Sequence, residues 1–446
     1  MIYEGVGMRV LHTSDWHIGR RFKGISLLEY QRNAMEWLID VIQREHVQVL
    51  CVAGDVYDLS MPSSDAVRLF NEMFAQLGHI EIDGLPLEII MTPGNHDSAV
   101  RLGAGAALMR ENIHMRCDIA TIAEPVIVDR GEDRLAVYAL PYLDPDTARP
   151  QMQGMLDDNG IGYQIPRSHE GMMRGALELI TRDLTVRRIE HPDLTAMLMA
   201  HAFISGAQSS DSERVITVGG VDSVPAALFA HCGLDYLALG HLHRHQKVRI
   251  PQLDIARSTF RLDRTPQARY SGSLLAYSFS ESQTPPVEGN GKCVVLLDTT
   301  SHGIANQRTL AVDSKEPPFA QVEGTLKQIM GPMAQLHRDD WVSVSVHVSE
   351  FPQGLYQKID NRYPHALEKN IIYDRHPQAG ASNTVDLRKV TSEMEVLGQF
   401  VQNQLNRQPD ASEHKLLQAT VESVRKRYAE YAGNTEAAEM IKEDIA

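Results

Sequence analysis

Met8-Arg-Val-Leu-His-Thr-Ser-Asp-Trp-His-Ile-Gly19, then Val47-Gln-Val-Leu-Cys-Val-Ala-Gly-Asp55, then Leu87-Glu-Ile-Ile-Met-Thr-Pro-Gly-Asn-His-Asp97 decide the fold. Each is a short apolar run that stops at polar residues able to hold a metal. Between the first two, Leu27 to His46 carries Ala34, Trp37, Leu38, Val41 and Ile42 at helical spacing. Val67 to Leu77 predicts a second helix before the third run. This βαβαβ rhythm implies parallel strands with helices packed on the sheet. In open α/β sheets, sites form beyond the carboxyl ends of the strands, which is where the polar residues stand.

Working outward, further strands are predicted at Leu135–Ala139, Leu194–Ala200 and Asp235–Leu239, with Cys293–Leu297 closing the domain. The polar stretch Glu281–Gly291 reads as a surface excursion within it. Residues 8–313 therefore form one α/β domain, and 314–384 a small α+β module. In the module, Leu326–Leu336 is predicted helical, Trp341–His347 alternates as a half-buried strand, and Lys369–Tyr373 is a second strand. Residues 385–446 are helical, with one apolar stripe at Val390, Met394, Leu397, Val401 and Leu405 and another at Leu417, Val421, Val424, Tyr428 and Tyr431. Between them, Asp410 with Glu413 resembles a capping box. The stripes either pack on their own domain or dock another helix or coiled coil.

At 446 residues, two or three domains are expected. Hydrophobic content of 43% and charged content of 23% are those of a globular protein, and no apolar run is long enough to span a membrane. Met1–Gly7 has no basic and apolar regions of a signal peptide and reads as an extension ahead of Met8. Cys51, Cys117, Cys232 and Cys293 are too scattered for a disulfide framework or zinc knuckle, which fits a reducing cytoplasm. The net charge of −15 excludes nucleic-acid binding through a general positive field. Metal ions, local basic patches or a partner would have to offset phosphate repulsion.

Five predicted strands each end in a metal-capable residue. After the first come Asp15 and His17, which point the same way when locally extended. Alone, such a pair is usually a capping aspartate beside an unrelated histidine. After the second comes Gly54-Asp55, a natural bridging carboxylate or, in isolation, a turn residue. After the third, Asn95 offers a neutral amide oxygen, and His96 can face a substrate with Asp97 fixing its tautomer; the bland reading is a turn. His201 follows the fourth strand, and Gly240-His241-Leu242-His243 the fifth. Two imidazoles at i and i+2 after a buried strand can reach adjacent metals, whereas His201 alone reads as a satisfied core or strand-end histidine. His231 and His245 keep that reading as partly exposed histidines. Together, seven oxygen and nitrogen donors without cysteine suit Mn²⁺, Fe or Zn²⁺ better than Mg²⁺ or Ca²⁺.

The order D-x-H, G-D, G-N-H-D, H, G-H-x-H resembles that of the calcineurin-like metallophosphoesterases. Met8–Gly19, Val52-Ala-Gly-Asp-Val-Tyr-Asp-Leu-Ser-Met-Pro62 and Pro93–Ser98 are similar to the nuclease subunits of bacterial SbcCD-type complexes, strongly over residues 8–280 and less so beyond. The resemblance implies a four-layer α/β/β/α sandwich with a capping domain that positions DNA and a C-terminal segment that docks on a coiled-coil ATPase. It implies Asp15, His17, Asp55 and His243 around one ion and Asp55, Asn95, His201 and His241 around another, with Mn²⁺ as the metal. His96 would be the catalytic histidine, supported by Asp97. It further implies exo- and endonuclease action on duplex ends and hairpins in DNA recombination, replication and repair, an SbcC-type ATPase partner, homodimerisation, and a place in the cytoplasm at the nucleoid. A phosphoesterase for a small substrate or phosphoprotein would use the same ligands. A non-catalytic scaffold would lack some of them, and none is missing.

Overall fold

The computed structural model describes residues 7–131, 133–214, 223–252, 264–281, 291–374, 394, 397, 398, 401 and 407–432. Residues up to Asp374 form one compact unit and Arg375–Ala446 a second.

The first unit is built on two six-stranded sheets. In one, β1 (Arg9–Thr13), β2 (Val49–Ala53), β3 (Glu88–Thr92) and β4 (Ile113–Met115) run parallel, with α1 (Leu28–Arg44) and α2 (Ser64–Leu77) between them. The other begins with β5 (Val126–Arg130) and β6 (Asp133–Ala139), followed by α3 (Arg149–Asp158) and α4 (His169–Glu190). It continues with β7 (Thr195–His201), β8 (Tyr236–Gly240), β9 (Gln246–Val248) and β10 (Gln267–Tyr270), in the order β9-β10-β8-β7-β6-β5. The chain then returns to the first sheet. β11 (Cys293–Thr300) pairs antiparallel with β1, and β12 (Gly303–Ala311) forms its edge.

Alternation along the strands produces the layering. Leu11, Leu50, Val52, Ile89 and Met91 face α1 and α2. Their neighbours Val10, Val49, Cys51, Ala53 and Ile90 face Leu135, Val137, Met197, Met199 and Tyr236 of the other sheet. The far side of that sheet, through Ala136, Tyr138, Leu198 and Leu237, packs on Met152, Met172 and Ile180 of the helices. Helix, sheet, sheet and helix are thus four layers, and both sheets are apolar on both faces.

The small module is a parallel three-stranded sheet: β13 (Phe319–Thr325), β14 (Trp341–Val348) and β15 (Ala366–Tyr373), with α5 (Leu355–Arg362) against it. Phe319 and Trp341 seat it on Phe22, Phe279 and Tyr30. The predicted helix Leu326–Leu336 is two four-residue helices, Leu326–Ile329 and Met333–Leu336. Pro332 lacks an N–H and disfavours helical dihedrals at Gly331, so the helix breaks there. The Glu281–Gly291 excursion differs at its base: Glu281 is buried, while residues 282–290 lie outside the described set.

In the second unit, α6 (Ala411–Ala432) opens on a reciprocal capping box: Asp410 Oδ1 accepts from Glu413 N and Glu413 Oε2 from Asp410 N, both at 2.9 Å. Leu417 and Val421 are half-buried on it. Of the first C-terminal stripe, Met394, Leu397 and Val401 are helical, while Val390 and Leu405 lie outside the described residues, as do Met1–Val6. Among the described residues no helix is long and apolar enough to cross a membrane, and all four cysteines are free.

Candidate metal centre

The loops after β1, β2, β3, β7 and β8 converge at one end of the sandwich, where the two sheets meet edge-on to the site. The first two are laced together through the backbone: Asp15 N donates to Gly54 O (3.0 Å), His17 N to Asp55 O (2.9 Å) and Ile18 N to Val56 O (2.9 Å). Asp15, His17, Asp55 and His241 all hold positive φ, between 44° and 104°. Such dihedrals are uncommon outside glycine and strained, though Asp and His tolerate them better than most residues.

Three glycines leave room for the approach. A Cβ on Gly54 would lie 2.3 Å from His201 Nδ1, one on Gly94 2.1 Å from Asp55 Oδ1, and one on Gly240 1.9 Å from Ala53 O. The G-D, G-N-H-D and G-H-x-H motifs therefore each need glycine because another motif occupies the place of its side chain.

All seven candidate ligands meet in this pocket, and six of them are nearly or wholly buried. Asp55 Oδ2 stands midway, 3.5 Å from His17 Nε2 and 3.4 Å from His201 Nε2. On the His17 side, His17 Nε2 is 3.0 Å from His243 Nε2, and Asp15 groups with both. On the other, Asn95 Oδ1 faces His201 Nε2 at 2.9 Å and His241 Nδ1 at 3.2 Å. Asp15 also accepts from His241 N, at 3.1 and 3.2 Å. His231 and His245 take no part.

These donors fit a pair of cations. Two buried imidazole nitrogens 3.0 Å apart share one proton at most, and two buried carboxylates lie beside them. Burial keeps His17 neutral, its pKa lowered to about 3, and holds His241 well below the ordinary range. His201 is the exception: burial opposes protonation, but the Asp55 carboxylate outweighs it and the pKa rises to about 9. Its Nδ1 is occupied by Ala53 O at 3.0 Å, so Nε2 is the nitrogen turned to the cluster.

His96 lies at the pocket edge, 9% exposed, with Nε2 4.0 Å from Asp55 Oδ2. Its Nδ1 faces Asp58 O at 2.8 Å, so the backbone of Asp58 fixes its tautomer in place of the expected Asp97. Adjacent side chains on this loop diverge. Asp97 instead accepts from Val56 N, Tyr57 N and Gly94 N, each at 2.9 Å. Burial and the nearby Asp55 charge raise Asp97 to about 7 despite those donors. Sequence reading missed Asp58, which is 3.4 Å from His17 Nδ1, and the residues behind His243: Ser212, Glu213, Glu281 and Lys292. The D-V-Y-D spacing could have pointed to Asp58; nothing local marks the others.

Residues 8–245 match the calcineurin-like phosphoesterase family, and the chain belongs to it. It is a metal-dependent phosphoester hydrolase of a family that uses dinuclear metal sites, and its His/Asp cluster is in place. Among solved structures it is similar to a dimetal phosphatase from Danio rerio, at 12% identity and a TM-score of 0.38, covering 69% of this chain and 100% of the other. A Thermus thermophilus protein gives 11% and 0.36 over 69% and 100%. GAP50, the anchor in the inner membrane complex of Plasmodium, gives 13% and 0.35 over 69% and 90%.

Proposed function

We propose that the chain is a manganese-dependent DNA nuclease, the SbcD-type subunit of a complex with an SbcC-type coiled-coil ATPase, acting on duplex ends and hairpins in recombination, replication and repair. One observation favours this over a hydrolase for small phosphoesters. Tyr277 packs its ring against both His17 and His243, and it also lines a cleft of about 320 Å³. The cleft runs past Ser278, Ser280, Asp211 and Lys23, which pairs with Glu368 in the same lining, onto the polar face of β14 and β15, at Ser343, Ser345 and Asn370. A polymer held at the metal cluster continues onto this face; a small phosphomonoester would leave it unused.

When bound, the two cations supply an activated water and neutralise charge on the phosphate. The chain's own residues do the rest. Asp55 ties the two halves of the cluster together. With Nδ1 turned to Asp58 O, His96 keeps Nε2 for holding or delivering a proton at the leaving sugar oxygen. Arg214, exposed at the lip beside Asn95 O, gives an incoming phosphate a cation on an otherwise acidic chain.

Exposed Leu59 and Met61 line a second cleft, of about 440 Å³, with exposed Val100 and Leu108 close by in sequence to its other walls. An apolar rim of this kind suits a second copy of the chain. The capped α6, with Leu416 exposed, is the proposed ATPase-docking element. Nuclease assays with Mn²⁺ on linear duplex, hairpin DNA and a chromogenic phosphodiester, with and without the ATPase, test the reading. DNA cleavage on free ends and hairpins is the expected result. Cleavage of the chromogenic ester alone would favour the small-substrate hydrolase.

A further inference from the structure

Every polar group of His243 except one is occupied. Its backbone N donates to Glu213 Oε1 at 2.8 Å, and its carbonyl accepts from Lys292 Nζ at 2.9 Å. Its ring Nδ1 lies 2.5 Å from Ser212 Oγ, and the Ser212 hydroxyl in turn donates to Glu281 Oε1. A serine hydroxyl has one proton. Given to Glu281, it leaves the oxygen to accept, so His243 must carry its proton on Nδ1 and present a lone pair at Nε2. That lone pair faces His17 Nε2 at 3.0 Å, inside the cluster.

Behind the relay stands a buried ion pair. Glu281 and Lys292 are 2% and 7% exposed. Lys292 Nζ uses its three donors on Glu281 Oε2, Ser273 Oγ and His243 O, and Glu281 Oε2 also accepts from Tyr277 N at 3.3 Å. A buried pair is an unreliable source of stability, since its desolvation offsets its attraction. Its placement around a single imidazole is better explained by control of that ring. His201 and His96 take their orientation from main-chain carbonyls, whereas His243 takes it from side chains far away in sequence.

We infer that Ser212 and Glu281 are positioning residues that fix the tautomer and aim of His243, and so set the affinity of the ion on the Asp15–His17–His243 side of the centre. The inference rests on the two-metal reading. Wild-type metal content tests that reading first, since two ions per chain are required before any variant is compared. Mn²⁺ or Zn²⁺ titration by calorimetry, with metal counted after gel filtration, then reads the variants. Ser212→Ala is expected to weaken one ion about 10–100-fold while the other keeps wild-type affinity. Ser212→Thr, which retains the hydroxyl, should restore it. Glu281→Gln should weaken the same ion in a chain that still melts cooperatively without metal. Two ions of wild-type affinity in both Ser212→Ala and Glu281→Gln would overturn the inference, as would equal weakening of both ions.

Discussion

Gly94→Ala adds one methyl group to a residue that ligates nothing, yet it is expected to empty the site. A Cβ there lies 2.1 Å from Asp55 Oδ1 and 2.4 Å from Asp55 N, and contacts under 3.0 Å do not occur, so the carboxylate must retreat by at least 0.9 Å. Gly94 does not hold a positive φ, so alanine meets no dihedral penalty. Asp55 has nowhere to go. Oδ1 accepts from His96 N at 2.9 Å, and Oδ2 is set between His17 and His201 at 3.5 and 3.4 Å. A displacement of about 1 Å costs on the order of 10²-fold in rate, and overpacking costs about 1–3 kcal/mol. The stabilisation that bound metal confers, about 2.7 kcal/mol at a hundred times Kd, should vanish as well. Melting in EDTA and in Mn²⁺, metal per chain, and kcat on a phosphodiester measure the three effects. Gly105→Ala is the control: φ is 78° with open space around the new methyl, so about 1 kcal/mol of backbone strain is expected with metal and kcat untouched. A Gly94→Ala protein that binds two ions and turns over normally would refute the reasoning.

Other outcomes follow from the same geometry. His96→Ala should retain both ions and lose about 10²–10⁴-fold in kcat; full DNA cleavage would refute its role. His12, buried between Tyr236 Oη and Leu239 O at 3.2 Å each, is held by burial at about 3, against an ordinary 6.5. The unfolded chain thus takes up a proton that the folded chain refuses. Stability is full above about 6.5 and falls as the pH drops toward 3, by up to about 1.4 kcal/mol per pH unit. Denaturant unfolding in EDTA should show a shallower pH slope for His12→Gln, and equal slopes would discard the assignment. Asp97→Ala strands three backbone donors at about 1–3 kcal/mol each, so in EDTA it should unfold more easily than Asp55→Asn; the reverse order would contradict the clamp described above. Truncation after Thr384 should abolish the ATPase complex and leave metal-dependent phosphodiesterase activity, and a surviving complex would mean that the C-terminal helices pack at home.

The strand-end donors were legible because a doubly covered sheet needs unbroken apolar runs, and polar residues at the end of such a run stand out. Val49–Ala53 and Tyr236–Gly240 are buried throughout. Edge strand Gly303–Ala311, with its exposed and half-exposed Gln307, Arg308 and Thr309, carries no such signal and went unread. The relay behind His243 was illegible for another reason. Ser212 and Lys292 are 31 and 49 residues from His243, Glu281 is 69 from Ser212, and no periodicity links them. Asp97 shows the limit of adjacency: it is next to His96 along the chain, but the loop turns one side chain toward the pocket and the other toward its own backbone.

That backbone accounts for how the donors are held together. Four cluster residues hold dihedrals that cost on the order of 1 kcal/mol or more each. Local strain of this size persists only where the surroundings over-determine it. Here, three main-chain bonds lace the loop after β1 to the loop after β2, and Asp97, itself held by Gly94 N within the loop after β3, pins that second loop through Val56 N and Tyr57 N. The loops are thus one hydrogen-bonded body whose shape does not depend on ligation. Repulsion between the buried Asp15 and Asp55 carboxylates is what these hydrogen bonds leave unanswered. Positive charge beside them relieves it, so the fold itself carries the demand for cations, and ligand substitutions should remove metal before they remove structure.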